Sequence, residues 1–217
     1  MKSTSEILKG MPLPAAFTFE EQTHIYRINS AELPSVTGIL RAAGLVDEQW
    51  FTDESRDRGS AVHLAIQYLD EDALDEESLD ERVKPYVNAY RKFKTDTGFE
   101  PLPIIDQVND AEVIAEARRF QPKYGYAGTI DRIGIFRNGR KVILEIKTGA
   151  AHPTHRLQLA AYQAMLDKPG EYIRLVLRLE KDGTYIVNEF SLTEYPQDFQ
   201  VFASCLQVVR FKKEHQL

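Results

Sequence analysis

Three residues whose side chains could do acid–base or metal chemistry lie on two neighbouring segments with the pattern of β-strands. Asp131 falls in residues 128–136, and Glu145 and Lys147 close the run from 142 to 147. Apolar residues alternate in that second run, which predicts a half-buried strand whose successive side chains point to opposite faces. Glu145 and Lys147 therefore share one face. A solvated pair of opposite charges is the common alternative for two such residues, so the pair alone does not define an active site.

The length of the loop between the two predicted strands decides where Asp131 points. The dipeptide Asn138-Gly139 marks a hairpin. A two-residue loop would place Asp131 and Glu145 on opposite faces of the sheet. A loop of three residues, 137–139, with Gly139 in the left-handed conformation, would place the two carboxylates opposite each other on one face. We predict the three-residue loop.

The facing carboxylates of Asp131 and Glu145 would require a cation, because two such groups one strand spacing apart otherwise repel each other. Hard oxygen ligands that leave room for water suit Mg²⁺ or Mn²⁺. Lys147 projects from the same face, where it could orient an attacking water, help to deprotonate it, or hold a phosphate oxygen. Together these groups are suited to the hydrolysis of a phosphodiester.

The order of these residues along the chain resembles the PD-(D/E)XK nuclease superfamily. Asp131 is followed by Glu145-Ile146-Lys147 and then by Gln158-x-x-x-Tyr162, as in the RecB-like branch, which includes phage-type exonucleases. Upstream, Arg58-Gly59-Ser60-Ala61-Val62-His63 resembles the histidine motif of that branch. The resemblance covers roughly residues 56 to 190, and it implies a nuclease that depends on Mg²⁺ or Mn²⁺.

The resemblance also implies a role for each residue of the site. It makes Lys147 the catalytic lysine, acting with Asp131 and Glu145. Glu116 matches an acidic position often present in the family, where it would bind a second metal ion or support the other ligands. An imidazole is a more usual ligand for transition metals than for Mg²⁺, which favours activity with Mn²⁺. The metal ligands that the resemblance implies are His63, Asp131, Glu145 and the backbone carbonyl of Ile146.

Further polar residues near this centre are candidate DNA contacts. Gln158 and Tyr162 lie one turn apart on a predicted helix, and by resemblance they would face DNA or brace the site. His155 and Arg156 fall in the first turn of that helix and are candidate phosphate contacts. Arg58 is a third candidate. For Arg58, as for Arg56, a solvated charge on the helix surface is the alternative.

The charge balance bounds how the chain could bind nucleic acid. The 217 residues include 27 Lys and Arg against 33 Asp and Glu, which gives a net charge of −6. This balance argues against coating of nucleic acid by charge alone, but a local groove can stay positive in an acidic nuclease. A solvated face is favoured over a DNA-facing patch for four cations on one predicted helix, which are Lys84, Arg91, Lys92 and Lys94.

The compartment follows from cysteine content and from apolar runs. Cys205 is alone, which excludes a disulfide framework and the iron–sulfur variant of the family. The first residues lack the apolar core of a signal peptide, and no apolar run is long enough to span a bilayer. We expect a cytoplasmic protein, in a bacterium or a phage-infected host cell, without a membrane partner.

The predicted elements give an α/β fold with a restriction-endonuclease-like core. A mixed central β-sheet is flanked by helices, and the site lies at one edge of the sheet. Residues 1–217 are expected to form one domain, with 1–14 as a loose N-terminal arm and the acidic run 70–80 solvated. Predicted helices follow Ser35 and cover 50–58, 61–69 with a new start at Gly59 or Ser60, 81–97, 154–166 and 196–213. Predicted strands cover 17–28 as a hairpin, 111–120, 128–136, 142–147, 171–179 and 185–190.

These features predict a metal-dependent DNA nuclease, with an exonuclease of recombination, repair or phage DNA processing as the favoured form. Linear duplex or single-stranded DNA ends, a recombination partner protein and further copies of the chain are the candidate partners. One rival is a catalytically silent DNA-binding or assembly module that retains the fold. Intact Asp131, Glu145 and Lys147 argue against it. The other rival is an enzyme that acts on a small phosphorylated molecule.

Overall fold

The computed structural model of the chain describes residues 17–46 and 52–217. The expected arm, residues 1–14, lies outside this part. The helices are α1 (Val36–Ala42), α2 (Asp53–Asp70), α3 (Lys84–Thr97), α4 (Thr154–Gln163) and α5 (Tyr195–His215). The strands are β1 (Phe17–Glu20), β2 (Ile25–Ile28), β3 (Ala31–Leu33), β4 (Glu100–Pro101), β5 (Ile104–Asp106), β6 (Ala111–Val113), β7 (Ala117–Gln121), β8 (Tyr126–Ile130), β9 (Arg132–Ile135), β10 (Lys141–Lys147), β11 (Tyr172–Leu179) and β12 (Tyr185–Phe190).

The central element is a five-stranded sheet with the strand order β12-β11-β10-β9-β4. β10 and β11 run parallel, and the other neighbouring strands are antiparallel. A parallel pair needs a crossover connection, which α4 provides between these two strands. The predicted α/β class, with a mixed sheet flanked by helices, is confirmed.

The two faces of this sheet bury separate apolar clusters. On β10, Ile143 belongs to the cluster that includes residues of α1, α4 and α5. Val142, Leu144 and Ile146 belong to the cluster formed with α2 and α3. Alternation along the strand therefore places Glu145 on the side of α4, while α2 covers the opposite face. A site at the end of β10 can receive side chains from both layers.

Helix α2 differs from its predicted extent at both ends. It begins at Asp53 because Thr52 caps it: the Thr52 side chain accepts a hydrogen bond from the Ser55 amide at 3.1 Å. The predicted new start at Gly59 or Ser60 is therefore wrong, and the helical run predicted before it belongs to the same helix from Asp53 on. Asp70 is the last residue of the helix and its side chain has no exposed surface, so it does not belong to a solvated acidic run.

The predicted strand from 111 to 120 is broken at Glu116. This residue has a φ of 51°, in the left-handed region, and it separates β6 from β7. β6 pairs with β5, whereas β7 pairs with β8. The break takes the Glu116 side chain out of the strand alternation. The side chain instead reaches His63 of α2.

Each of the four cations considered on α3 forms an ion pair with an acidic residue; the four are Lys84, Arg91, Lys92 and Lys94. Lys92 lies 2.9 Å from Asp96 and Lys94 lies 2.7 Å from Asp70. Lys84 and Arg91 contact Glu81 and Glu76. These pairs favour the solvated face over the DNA-facing patch. Within the described part of the chain, no helix combines the length and the apolar character that crossing a membrane requires.

Candidate active site

The loop between β9 and β10 has three residues and ends at Gly139, which has a φ of 81°. The antiparallel register of the two strands ends with Arg132 opposite Leu144. One step further along the same register, beyond the paired residues, Asp131 falls opposite Glu145. The predicted three-residue loop is confirmed, and the facing of the two carboxylates stays a prediction that this register supports.

Asp131 lies at the break between β8, which pairs with β7, and β9, which pairs with β10. It is 6% exposed, and its Oδ2 accepts a hydrogen bond from the Ile146 amide at 2.7 Å. Burial and the negative charge of Glu145 raise the pKa of Asp131 to about 7. In the metal-free protein this carboxyl group is therefore partly protonated near neutral pH, a state that a bound cation would reverse.

Glu145 is the most enclosed carboxylate of the site, with 2% of its surface exposed. Its Oε1 lies 2.5 Å from Lys147 Nζ and accepts a hydrogen bond from Gln158 Nε2 at 2.7 Å. Its Oε2 is buried and has no hydrogen-bond partner among the described residues. A buried carboxylate oxygen without a partner is costly, and a cation would supply the missing interaction.

Lys147 carries the positive charge of the site. Burial opposes that charge, but the carboxylates of Glu145 and Asp131 outweigh it, so the pKa of Lys147 is raised. The ammonium group therefore keeps its proton at neutral pH in the metal-free protein. This favours a role in orienting water or holding a phosphate oxygen over a role as a base.

His63 projects from α2 toward the end of β10. Its Nε2 lies 3.2 Å from the Ile146 carbonyl oxygen, and its Nδ1 lies 3.1 Å from Glu116 Oε1. The distance from Nδ1 to Asp131 Oδ2 is 4.0 Å. Burial alone would lower the pKa of His63, but the charges of Asp131 and Glu116 raise it to about 9. The metal-free protein therefore holds an imidazolium among oxygen atoms.

Glu116 reaches the same cluster from the turn between β6 and β7. Its amide donates a hydrogen bond to the Asp131 carbonyl at 3.0 Å. The left-handed conformation of a non-glycine residue costs on the order of 1 kcal/mol, and such strain is concentrated where a side chain must be aimed. Burial opposes the negative charge, but the hydrogen bond with His63 outweighs it and lowers the pKa of Glu116.

The donor atoms of this cluster fit a divalent metal ion. One ligand atom each from His63, Glu116 and Asp131 lie within 4.8 Å of one another, a spacing that an ion with bonds of about 2.0–2.4 Å can bridge. The Ile146 carbonyl oxygen lies 3.2 Å from His63 Nε2, whereas Glu145 does not belong to this group of three. Mostly oxygen donors with one imidazole suit Mg²⁺ or Mn²⁺. The structure thus brings His63, Glu116, Asp131 and the Ile146 carbonyl together; that Glu145 also binds the ion stays a prediction, as do the individual roles.

Gln158 and Tyr162 lie side by side on α4, next to Glu145. Gln158 Nε2 donates to Glu145 Oε1 and lies 3.1 Å from the Tyr162 hydroxyl oxygen. The Tyr162 ring packs against Gly128 of β8, where an added Cβ would come within 2.7 Å of Tyr162 Cε1. Both side chains are buried, which favours bracing of Glu145 over contact with DNA.

The three candidate phosphate contacts are placed differently. Arg58 on α2 is half-buried, and its Nε has no hydrogen-bond partner within the described part of the chain. Burial and the charge of Lys147 lower the pKa of His155 to about 3, so this ring lies near the site as a neutral imidazole. Arg156 donates to Asp198 Oδ1 at 2.7 Å. The prediction that Arg156 contacts phosphate is not supported, because its guanidinium is held at the start of α5.

Sequence analysis did not single out Arg132, the residue after Asp131. Its side chain is fully buried, and Nη1 donates to the Asp131 carbonyl at 2.6 Å and lies 3.5 Å from Glu116 Oε1. Its Nε donates to Asp70 at 2.9 Å. A buried arginine and an exposed one look alike in a sequence. The available signal was the spacing of Asp70 and His63, which are seven residues apart and thus share a helix face.

The mixed sheet, the neighbouring carboxylates and the adjacent lysine define a site of the nuclease type. The family model of the PD-(D/E)XK nuclease superfamily matches residues 39–184 of the chain. The chain belongs to this superfamily, and the matched segment contains every predicted site residue. The resemblance that the sequence predicts is confirmed at this level.

Two solved structures similar to this chain are crystal structures of an alkaline exonuclease (LHK-Exo) from Laribacter hongkongensis. The first is 14% identical, covers 82% of this chain and 91% of that chain, and has a TM-score of 0.36. The second, a complex with dAMP, is 15% identical, covers 81% and 92%, and has a TM-score of 0.35. No curated protein matches this chain.

Proposed function

We propose that this protein is a metal-dependent deoxyribonuclease that hydrolyses phosphodiester bonds, and that it acts as an exonuclease on linear duplex or single-stranded DNA ends. The observation that carries the proposal is the convergence of His63, Glu116 and Asp131 at ligand spacing, beside Glu145 with its unpartnered oxygen and Lys147. Membership of the nuclease superfamily supports the same chemistry. Recombination, repair or phage DNA processing would be its setting.

The metal ligands in this proposal are the three clustered residues together with Glu145 and one backbone carbonyl. When bound, Mg²⁺ or Mn²⁺ would supply positive charge at the phosphodiester and lower the pKa of water. Gln158 would keep Glu145 oriented through its 2.7 Å hydrogen bond, and Tyr162 would fix Gln158 in turn. The residues that would hold the ion are His63, Glu116, Asp131, Glu145 and the carbonyl of Ile146.

Lys147 would act on the reacting groups directly. Its protonated amine, 2.5 Å from Glu145, would orient the attacking water and neutralise charge that develops on the phosphate oxygens. Attack of water on phosphorus would form one phosphorus–oxygen bond and break the bond to the leaving sugar oxygen; the proton that the water loses would pass to solvent, and the leaving oxygen would take up a proton from solvent. Arg58, with its unpartnered Nε, and neutral His155 would contact neighbouring phosphates.

The test compares end-labelled linear DNA with closed circular DNA in Mg²⁺ or Mn²⁺. We expect loss of the linear form alone, and we expect Lys147→Ala to abolish it. Lys141→Ala is the matched control, because Lys141 lies at the other end of β10 and pairs with Glu171 at 2.6 Å. Loss of both the linear and the circular form would indicate an endonuclease instead of an exonuclease.

Two further outcomes would overturn the enzyme that we propose. DNA that is bound but left intact with either metal would favour the silent module. Phosphate release from nucleotides without any cutting of DNA would favour an enzyme of small phosphorylated molecules. A recombination partner protein, assembly of several copies and a cytoplasmic location are further parts of the proposal.

A further inference from the structure

A buried ion pair lies directly behind the candidate metal site. The carboxylate of Asp70, at the end of α2, accepts hydrogen bonds from Arg132 Nε at 2.9 Å, from the Tyr90 hydroxyl at 2.9 Å and from Lys94 Nζ at 2.7 Å. Neither Asp70 nor Arg132 exposes any side-chain surface. Because Asp70 follows His63 by two helical turns, the two residues share one face of α2. Whatever fixes Asp70 also fixes the helix that carries His63.

The other end of the Arg132 guanidinium touches the site itself. Its Nη1 donates to the Asp131 carbonyl at 2.6 Å and lies 3.5 Å from Glu116 Oε1. The Glu116 amide donates to that same carbonyl at 3.0 Å. One planar group therefore joins the end of α2, the strand break at Asp131 and the turn at Glu116. A guanidinium suits this task because its donors are held in a fixed plane.

The Glu116 carboxylate depends on such support more than an ordinary strand residue would. Its backbone has the left-handed φ of 51°, and its Oε1 lies between His63 Nδ1 and Arg132 Nη1. The side chain is half-buried, so water can compete for the other oxygen. Without Arg132, His63 alone would hold Glu116 Oε1.

We propose that Arg132 is a positioning residue that holds the Glu116 carboxylate and the His63 helix in the geometry that binds a divalent cation. The inference rests on the proposed metal-dependent function. A pure charge effect would act in the opposite direction, because a positive group near a cation repels it. Loss of Arg132 would then strengthen metal binding. Weaker binding after its removal is therefore the signature of positioning.

The test measures Mn²⁺ binding to the full-length, chelator-treated protein by calorimetry. We expect Arg132→Met to weaken the affinity on the order of tenfold, the usual effect of removing a group that orients metal ligands. Arg132→Lys keeps the charge but cannot span three segments, so it should also weaken binding. Arg174→Met is the control: Arg174 is equally buried and donates to Asp198 at 2.6 Å. It should lower thermal stability and leave the Mn²⁺ affinity unchanged.

A double-mutant cycle checks that Arg132 acts through Glu116. In a Glu116→Gln background, Arg132→Met should reduce the Mn²⁺ affinity much less, because the carboxylate that Arg132 positions has already been replaced by a neutral amide. Unchanged or tighter binding in Arg132→Met overturns the inference, and so does equal weakening in Arg174→Met. If Arg132→Met does not fold, Asp70→Asn weakens the same contact from the helix side, because it removes the charge that attracts the guanidinium: weaker binding supports the inference and unchanged binding overturns it.

The failure of this inference is distinguishable from that of the proposed function. Wild-type protein that binds Mn²⁺ and degrades DNA, while Arg132→Met binds Mn²⁺ equally well, sinks the positioning role alone. A wild-type protein that binds no Mn²⁺ would rule out both the positioning role and the proposed metal-dependent function. Wild-type protein that binds Mn²⁺ without cutting DNA sinks the enzyme, and the binding comparison still decides the role of Arg132.

Discussion

A proton on His63 competes with a metal ion for the same atoms. In the metal-free structure its two ring nitrogens face Glu116 Oε1 and the Ile146 carbonyl, which are two of the proposed ligand atoms. The neighbouring carboxylates raise the pKa of His63 to about 9. A metal ion needs a neutral imidazole with a free lone pair, so the proton and the metal exclude each other.

We therefore expect the Mn²⁺ affinity to rise with pH. The rise should approach about tenfold per pH unit while His63 alone must lose its proton. It should be steeper below about pH 7, where Asp131 is also protonated, and level off above about pH 9. Calorimetry in two buffers of different ionisation enthalpy counts the protons released on binding. The His63→Gln variant should release fewer protons. An Mn²⁺ affinity of the wild-type protein that is independent of pH would contradict the competition between proton and metal.

At this scale the sequence predicts residues whose chemistry follows from spacing along one element. Glu145, Lys147 and Gln158 were predicted because alternation and helical period fix their faces. Asp70 and Arg132 were not, because a charged side chain reads the same whether it is solvated or buried. Asp70 opens an acidic run, which favoured the solvated interpretation. Only the fold brings it to an arginine 62 positions away.

Among the elements, those with a strong period were predicted well and those set by an unusual backbone conformation were not. The strand β12 has the predicted bounds, and β10 differs from its prediction by one residue. The break at Glu116 depends on a left-handed non-glycine residue, which no sequence pattern marks. The start of α2 was misplaced because Gly59-Ser60 resembles a helix start, whereas Thr52 supplies the cap.

Contact between α4 and β8 leads to a prediction at Gly128. A Cβ there would lie 2.7 Å from Tyr162 Cε1 and 3.1 Å from Val36 Cγ2. We expect Gly128→Ala to lower the free energy of unfolding by about 1–3 kcal/mol, as overpacking does. It should also slow DNA cleavage, because a displaced Tyr162 no longer fixes Gln158. Denaturant unfolding and the cleavage assay measure the two effects.

The control for this change is Gly170→Ala. No atom lies within 4 Å of the Cβ that would be added at Gly170, so both stability and cleavage should stay near the wild-type values. A Gly128→Ala protein as stable and as active as the wild type would show that Tyr162 moves freely. The bracing of Glu145 by Gln158 and Tyr162 would then lose its support.

The charge distribution of the whole molecule bears on how DNA is held. The net charge is −6, and the cations of α3 are paired with acidic residues. The site itself contributes the carboxylates of Glu116, Asp131 and Glu145 against the positive groups of Lys147 and His63. Because Asp131 is partly protonated near neutral pH and Arg132 adds a positive group 3.5 Å from Glu116, these charges nearly cancel, and the site alone offers phosphate little attraction. A divalent cation would make the field positive where the scissile phosphate binds.

The positive charge of the metal predicts that DNA binding, like DNA cleavage, depends on the metal. The Lys147→Ala variant, which we expect to leave DNA intact, allows binding to be measured without cutting. Its affinity for linear DNA should be at least about tenfold higher in Mn²⁺ than in chelator at the same ionic strength, a requirement because salt alone changes such affinities. Adding Asp131→Asn should remove most of that difference, since the added metal would no longer be held. Equal affinity with and without Mn²⁺ would show that DNA is held by groups away from the carboxylate cluster, and it would contradict the metal-dependent binding that we predict.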